Sequence, residues 1–300
     1  MDGILNILKP PGMTSFDVVG YLRGILKTRK IGHTGTLDPG AVGVLPICVG
    51  NATKAIEFMT DKDKIYRAEL TLGSSTDTQD STGQILETRP VKVTHTQIET
   101  VMKEFVGKIK QIPPMYSAVK IEGKKLYELA RSGITVEREP REIEIYYINI
   151  IHIELCNEGA PKRIIFDVAC SKGTYIRTLC NDIGERLGCC GHMSFLIRVK
   201  AGNFDISSAV TLEKLSELAN DGALGSIFIS IDQVFEEYDK VVLDPINEKK
   251  FLNGMFIIIN SEVYDTGQIV RVYDCEGKFL ALGEFSLSKG NIVLKSRKLF

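Results

Sequence analysis

The stretch GHTGTLDPGAVGVLP, residues 32–46, combines one carboxylate with four glycines and then enters an apolar segment. Asp38 precedes Pro39, which biases its backbone towards an extended conformation. Gly35 and Gly40 on either side allow sharp turns and the close approach of a ligand. Two interpretations follow from these residues alone. Asp38 is either a candidate catalytic carboxylate in a stiffened loop, or part of an ordinary turn in which it bonds its own backbone.

Common nucleotide and hydrolase motifs do not fit this stretch. Its glycines match neither G-x-x-x-x-G-K-[ST] nor G-x-G-x-x-G, and the chain contains no G-x-S-x-G. The sequence therefore does not support a phosphate cradle or a serine nucleophile elbow.

On either side of this loop, hydrophobic periodicity predicts an alternation of helices and strands. Ser15 is predicted to cap a helix that runs to about Lys27 and has Val18, Leu22, Ile25 and Leu26 on one face. Further helices are expected in residues 52–59, 96–109 (with Ile98, Val101, Met102, Phe105 and Ile109 on one face) and 174–188, and from Thr211. Residues 120–133 are expected to form a turn and then a short helix that stops at Gly133. Strands are expected in residues 44–50, 64–73 (Tyr66, Ala68, Leu70 and Leu72 alternating), 141–155 (Ile143, Ile145, Tyr147, Ile151 and Ile153 on one face), 163–171 and 195–204, and residues 74–84 read as a polar loop. After about Tyr238 short strand-like runs and turn signals predict a small all-β barrel.

Composition is that of an ordinary soluble protein, with 44% hydrophobic and 25% charged residues in 300. The first residues lack the pattern of a signal peptide, so a cytoplasmic location is expected. Net charge is −1, yet nine Lys or Arg face five Glu and no Asp between Lys103 and Arg141. That excess indicates either a local basic surface or an ordinary solvated face.

A metal site is not expected from the cysteines. The chain has seven, an odd number without a C-x-x-C pair, which favours reduced thiols. Cys180, Cys189, Cys190 and His192 are close in sequence, but adjacent cysteines chelate zinc poorly. Arg177, predicted near a helix N-terminus, is either a partner for an anion or carboxylate or a plain surface arginine.

Several blocks, in this order, resemble the TruB family of tRNA pseudouridine synthases. They are KPPGMTSFDVV (9–19), GHTGTLDPGAVGVLP (32–46), KIYRAELTLG (64–73), PPMYSAVKIEGKKLYELAR (113–131), CSKGTYIRTLCNDIGERLG (170–188) and FLIRVKAGNF (195–204). Residues 267–285 and 291–300 resemble a PUA domain, an RNA-binding barrel. The resemblance covers nearly the whole chain.

This resemblance implies an α+β pseudouridine synthase fold with a central mixed, mainly antiparallel sheet flanked by helices, plus a small all-β PUA-like barrel. The implied division is a catalytic domain at 1–235, with an RNA-gripping insertion at about 114–141, and a PUA-like RNA-binding domain at 238–300. The implied substrate is the uridine at position 55, in the T loop of tRNA, and no cofactor or metal is expected.

The resemblance also implies the roles of particular residues. Asp38 matches the catalytic aspartate, Arg177 the arginine paired with it, and Tyr175 a nearby tyrosine. His33 matches the histidine that fills the space left by the flipped nucleotide, Tyr66 the tyrosine that stacks on the target base, and Leu196 an apolar pocket residue.

Three other functions compete with a stand-alone, monomeric pseudouridine synthase. A tRNA-binding folding chaperone would use the same basic face without catalysis. A guide-RNA-dependent synthase would need partner proteins, and the short chain lacks the basic tails expected for that. A zinc hydrolase would need bound metal.

Overall fold

The computed structural model describes residues 2–121, 123–155, 161–259, 264–288 and 290–300, so Cys156 lies outside the described residues. Seven α-helices occur in these residues: α1 (Ser15–Leu26), α2 (Ile56–Thr60), α3 (His95–Glu104), α4 (Leu126–Arg131), α5 (Ile176–Arg186), α6 (Leu212–Asn220) and α7 (Pro245–Leu252). The strands of the same ranges are β1 (Gly3–Lys9), β2 (Ile31–His33), β3 (Val42–Val49), β4 (Lys64–Leu72), β5 (Ser74–Thr76), β6 (Ile85–Thr88), β7 (Gly107–Gln111), β8 (Lys120–Ile121), β9 (Lys124–Lys125), β10 (Arg141–Leu155), β11 (Pro161–Cys170), β12 (Gly191–Ala201), β13 (Phe204–Asp205), β14 (Asp239–Val242), β15 (Ile257–Ile258), β16 (Ile269–Tyr273), β17 (Phe279–Ser288) and β18 (Asn291–Leu299).

A nine-stranded sheet forms the centre of the protein, in the order β1-β3-β12-β4-β11-β10-β7, with β2 added to β3 and β13 to β12. The pairing of β3 with β12 is parallel and the others are antiparallel. The mixed, mainly antiparallel sheet implied by the resemblance is therefore confirmed. Helices α1 and α6 bury their apolar residues against β1 and β3, whereas α3 and α5 cover β4, β10 and β11.

Gly43 permits the close approach of β3 and β12 at their parallel junction. Its φ is +117°, and a Cβ at this position would lie 2.7 Å from the Arg198 nitrogen. A side chain here would therefore both strain the backbone and collide with the neighbouring strand.

A second sheet, of five strands in the order β14-β16-β17-β18-β15, follows the central one in the chain. It buries its own apolar cluster, which includes Phe251 of α7, a helix that the strand-like pattern after Tyr238 did not predict. Phe235 and Leu282 pack with Ile4 and Val44 of the central sheet, so the two sheets share a hydrophobic contact.

Three local predictions are wrong, each for a physical reason. Thr14, rather than Ser15, caps α1, in a reciprocal capping box with Asp17. The helix predicted to Ile109 ends at Glu104, because Gly107 adopts a φ of +108° and the chain then pairs with β10. The polar loop at 74–84 begins as β5, which pairs with β6.

Strand β10 does not keep one face throughout. Its register shifts between Ile145 and Tyr147, and again between Ile150 and His152. Each irregularity moves later side chains to the opposite face. Ile143, Ile145 and Ile153 are buried as expected, whereas Tyr147 and Ile151 are exposed, contrary to the simple alternation.

In the described part of the chain, no helix has the length and apolar character needed to cross a membrane.

Candidate active site

The Asp38 loop joins β2 to β3 and is fastened to the chain just before and at the start of α1. The Ser15 hydroxyl accepts a hydrogen bond from the Leu37 nitrogen (2.9 Å) and donates to the Leu37 carbonyl (3.3 Å). The Pro39 carbonyl accepts from the Gly12 nitrogen and from Lys9 Nζ. These bonds fix the backbone on both sides of the carboxylate, as a preorganised site requires.

Arg177 reaches Asp38 from the first turn of α5. Its Nε lies 3.0 Å from Asp38 Oδ2 and its Nη2 lies 3.3 Å from Oδ1. The same guanidinium donates to the carbonyls of Tyr116 (2.8 Å) and Thr78 (3.3 Å). Only 7% of the Arg177 side chain is exposed, so the plain surface arginine is excluded and the pairing implied by the resemblance is present.

A second carboxylate, Asp80, lies on the other side of Arg177. Its Oδ2 is 3.7 Å from Arg177 Nη1, while its Oδ1 accepts hydrogen bonds from the hydroxyls of Thr78 and Thr82. Asp80 was not predicted from the sequence, because it stands in a stretch that is polar throughout. Arg177 is thus flanked by two negative charges, which hold its orientation.

The surroundings of Asp38 act on its pKa in opposite directions. Desolvation raises the pKa, Arg177 lowers it, Asp80 raises it and Lys9 lowers it, and the net pKa is above the ordinary aspartate value. The side chain remains 39% exposed, so a substrate has access to it. An ionised carboxylate beside a fixed cation is suited to act as nucleophile or base.

Lys9 is a buried cation close to this loop and was also missed from the sequence. Its Nζ donates to the carbonyls of Pro10, Met13 and Pro39. Burial lowers the pKa of Lys9 to about 8, although the nearby Asp38 charge opposes that shift. Lys9 therefore adds positive potential beside Asp38 and links β1 to the Asp38 loop.

Tyr66 lies on β4 directly opposite Arg198 of β12. The Arg198 guanidinium is buried and donates hydrogen bonds to the Val44 carbonyl (2.7 Å) and the Gly35 carbonyl (3.1 Å). Desolvation raises the pKa of the Tyr66 phenol. The Arg198 charge lowers this pKa, and the Asp38 charge raises it. Tyr66 therefore stays protonated, and its cross-strand neighbour Arg198 is bonded to the loop that carries Gly35.

The other three predicted site residues, His33, Leu196 and Tyr175, differ in how deeply they are buried. His33 is half-buried, its Nδ1 faces the Gly35 nitrogen at 3.3 Å, and burial lowers its pKa, so the imidazole is held neutral. Leu196 is buried in the same apolar cluster as Leu37. Tyr175 precedes α5, where its backbone is held on both sides by the Gln111 amide at 2.7 and 3.0 Å.

Metal coordination has no visible basis in the described ranges, since no group of three or more His, Cys, Asp or Glu side chains is arranged there to hold an ion. The Cys180, Cys189 and Cys190 side chains are buried.

Family models match consecutive parts of the chain. Residues 23–176 match the N-terminal domain of the TruB family pseudouridylate synthases. Residues 177–243 match the C-terminal domain of tRNA pseudouridylate synthase B, and residues 240–293 match a C-terminal model of pseudouridine synthase II TruB. The chain belongs to the TruB family. The Asp38 loop lies within the first of these regions, and α5, which carries Arg177, lies almost wholly within the second.

Individual TruB relatives cover almost the same length. The tRNA pseudouridine synthase B of Alkaliphilus oremlandii is 50% identical over 94% of this chain and 93% of its own. That of Caldanaerobacter subterraneus subsp. tengcongensis is 46% identical over 94% of this chain and 95% of its own.

Two solved structures share the fold across 99% of this chain and 84% of theirs. One is a Cbf5-Nop10-Gar1 complex, at 28% identity and a TM-score of 0.75. The other is an H/ACA RNP bound to a substrate RNA containing 2′-deoxyuridine, at 26% identity and a TM-score of 0.74. The pseudouridine synthase fold inferred from the sequence is confirmed.

Proposed function

We propose that this chain converts uridine 55 in the T loop of tRNA to pseudouridine, with Asp38 as the catalytic carboxylate. Its membership of the TruB family makes it an isomerase that forms pseudouridine in tRNA. The observation that supports the assignment of Asp38 is its side-on pairing with the buried Arg177 guanidinium at an accessible position. The reaction breaks the N1–C1′ bond, turns the uracil and joins C5 to C1′.

Asp38 must be ionised to attack C1′, to add to C6 or to remove a proton from C2′, and these three steps remain alternatives. Burial alone would favour the neutral acid, whereas Arg177 favours the carboxylate. A guanidinium suits this position because it stays charged and can contact both carboxylate oxygens. We infer that Arg177 keeps Asp38 ionised and aimed at the ribose or the uracil ring.

The target uridine has to leave its stack before Asp38 can reach it, which costs a few kcal/mol. Tyr66 is proposed to stack on the extruded uracil, since its phenol has a raised pKa and its ring is a flat neutral platform. Stacking of a base on an aromatic ring offsets about 1–3 kcal/mol of that cost. The neutral imidazole of His33 is proposed to occupy the vacated space, with Leu196 and Tyr175 lining the pocket.

The segment 114–141 is proposed to grip the RNA. It starts at the active site, because the Tyr116 carbonyl accepts the 2.8 Å hydrogen bond from Arg177. Lys120, Lys124 and Arg131 on this segment are exposed. Contacts of such cations with phosphates should weaken as salt rises.

We assign residues 1–235 to the catalytic domain and residues 238–300 to the PUA-like RNA-binding domain. The five-stranded sheet that starts at Asp239 has its own apolar cluster, which supports this division. We further propose that the chain acts as a monomer in the cytoplasm. The six cysteines among the described residues are free thiols, as suits a reducing compartment.

The test compares wild type with Asp38→Asn on unmodified tRNA, without added metal or cofactor. Carbodiimide labelling followed by mass spectrometry locates pseudouridine. We expect it at position 55 with wild type and its absence with Asp38→Asn. Equal activity of the two proteins would show that another group is catalytic. If neither modifies tRNA but both bind it, the folding chaperone becomes the better description.

A further inference from the structure

We propose that Phe16 is a further RNA-binding residue, which stacks on the base of a nucleotide next to the target uridine. The inference rests on the proposed function, because it places the substrate RNA over Asp38 and His33. It adds a contact with a neighbouring nucleotide, whereas Asp38 and Tyr66 act on the target uridine itself.

Phe16 is held at the rim of the active site by the residues around it. The neighbouring Ser15 exchanges both of its hydroxyl hydrogen bonds with Leu37, the residue before Asp38. The Thr14 capping box fixes the first turn of α1, on which Phe16 stands. The Phe16 backbone therefore has a defined position relative to Asp38.

The Phe16 ring is 67% exposed although phenylalanine is normally among the more buried residues. Its neighbour is His33, with ring centroids 6.4 Å apart and planes at 86°. Because the rings are almost perpendicular, they do not stack on each other, and most of the Phe16 surface is left uncovered. The two rings form a corner of aromatic surface, as is typical of sites that receive unstacked bases.

Two cations that suit a phosphate backbone stand on α1 and at its end. Arg23 follows Phe16 by seven residues and therefore lies on nearly the same side of the helix, and Lys27 directly follows the last helical residue. Both are exposed, and neither takes part in the ion pairs that the described residues form. One aromatic ring followed by two free cations fits one base and the backbone that leads away from it. This combination favours RNA over an apolar protein partner.

The experiment measures equilibrium binding of unmodified tRNA to Phe16→Leu and Phe16→Trp, each in the Asp38→Asn background so that no turnover occurs. Phe16→Leu should bind on the order of 5-fold to 100-fold more weakly, the range that corresponds to the loss of one stacked base. Phe16→Trp should bind within about 2-fold of the parent, since it keeps an aromatic face. In the active protein, Phe16→Leu should raise KM and leave the rate at saturating tRNA unchanged.

Tyr21→Leu is the matched control, because Tyr21 lies on the same helix with its hydroxyl bonded to Ser216 of α6. It should bind tRNA like the parent protein. With a T-arm RNA that has an abasic site on one side of the target uridine, the parent protein and Phe16→Leu should bind with the same affinity. The inference would be overturned if Phe16→Leu bound tRNA as tightly as the parent protein, or if Phe16→Trp lost as much affinity as Phe16→Leu. It would also be overturned if Phe16→Leu lost the same affinity for every abasic RNA as for the intact RNA. Turnover by Asp38→Asn would instead contradict the proposed function, so the two failures are distinguishable.

Discussion

Arg177 contacts Asp38 side-on, with Nε and Nη2 at 3.0 and 3.3 Å from the two carboxylate oxygens. A lysine would keep the charge but could not make both contacts while also donating to Tyr116 and Thr78. We predict that Arg177→Lys slows single turnover on tRNA by on the order of 10-fold to 100-fold, as for the loss of about 1.5–3 kcal/mol of charged hydrogen bonding.

Arg67→Lys provides the control for Arg177→Lys. Arg67 makes a similar two-point contact with Asp167, at 2.7 and 2.9 Å, but 46% of its side chain is exposed. An exposed ion pair contributes little to stability, so turnover by Arg67→Lys should stay within about 2-fold of wild type. Equal rates for Arg177→Lys and wild type would contradict the proposed pairing.

The charge of Asp80 should affect the pH dependence of kcat/KM. The pKa of Asp38 is raised, and Asp80 contributes to that rise. The active carboxylate exists above this pKa, so kcat/KM should fall as pH falls through it. Asp80→Asn removes the neighbouring negative charge and should move the acid limb of kcat/KM to lower pH, whatever its effect on the maximum rate.

Glu185→Gln is the control for that profile, because Glu185 also lies on the Arg177 helix but bonds Arg89 at 3.0 Å instead. Its acid limb should coincide with that of wild type. An acid limb at higher pH in Asp80→Asn would show that Asp80 does not raise the Asp38 pKa.

The sequence carries a detectable signal for some of these residues and none for others. Arg198 is two residues after the buried Leu196 on one strand, so strict alternation already predicts an inward-facing arginine. Asp80 has no such signal, because its meaning depends on Arg177, 97 residues away in the chain. The pairing of Asp38 with Arg177 came only from the resemblance, since spacing alone gives no contact between separate elements.

Strand bulges explain why the local pattern failed where it did. Tyr147 and Ile151 obey the alternation in the sequence, yet two register shifts in β10 place them outside. Such shifts follow from pairing with β11, a long-range event that no window of neighbouring residues records.

Arg198 should matter for both stability and turnover. Arg198→Lys keeps a positive charge but lacks the guanidinium fork that reaches both the Val44 carbonyl and the Gly35 carbonyl. Buried groups left without partners cost about 1–3 kcal/mol each. We predict a lower midpoint in thermal unfolding and slower turnover at temperatures where the variant is still folded. An unchanged midpoint would show that these two bonds contribute nothing to the stability of the folded state.

Two glycines inside helices should respond in opposite ways to alanine. A Cβ on Gly184 of α5 would lie 2.4 Å from the Cys190 carbonyl carbon, in a close contact between helix and strand β12. A Cβ on Gly20 of α1 would meet no atom within 4 Å. Gly20→Ala should therefore stabilise the protein by about 0.5–1 kcal/mol, the difference in helix propensity.

Gly184→Ala should instead destabilise the protein by about 1–3 kcal/mol, because it forces α5 away from β12. Since Arg177 stands on α5, the shift should also slow turnover, whereas Gly20→Ala should leave the maximum rate unchanged. Urea unfolding and single-turnover rates of the two variants test both statements. A stable, fully active Gly184→Ala would mean that α5 can move without disturbing the contact between Arg177 and Asp38.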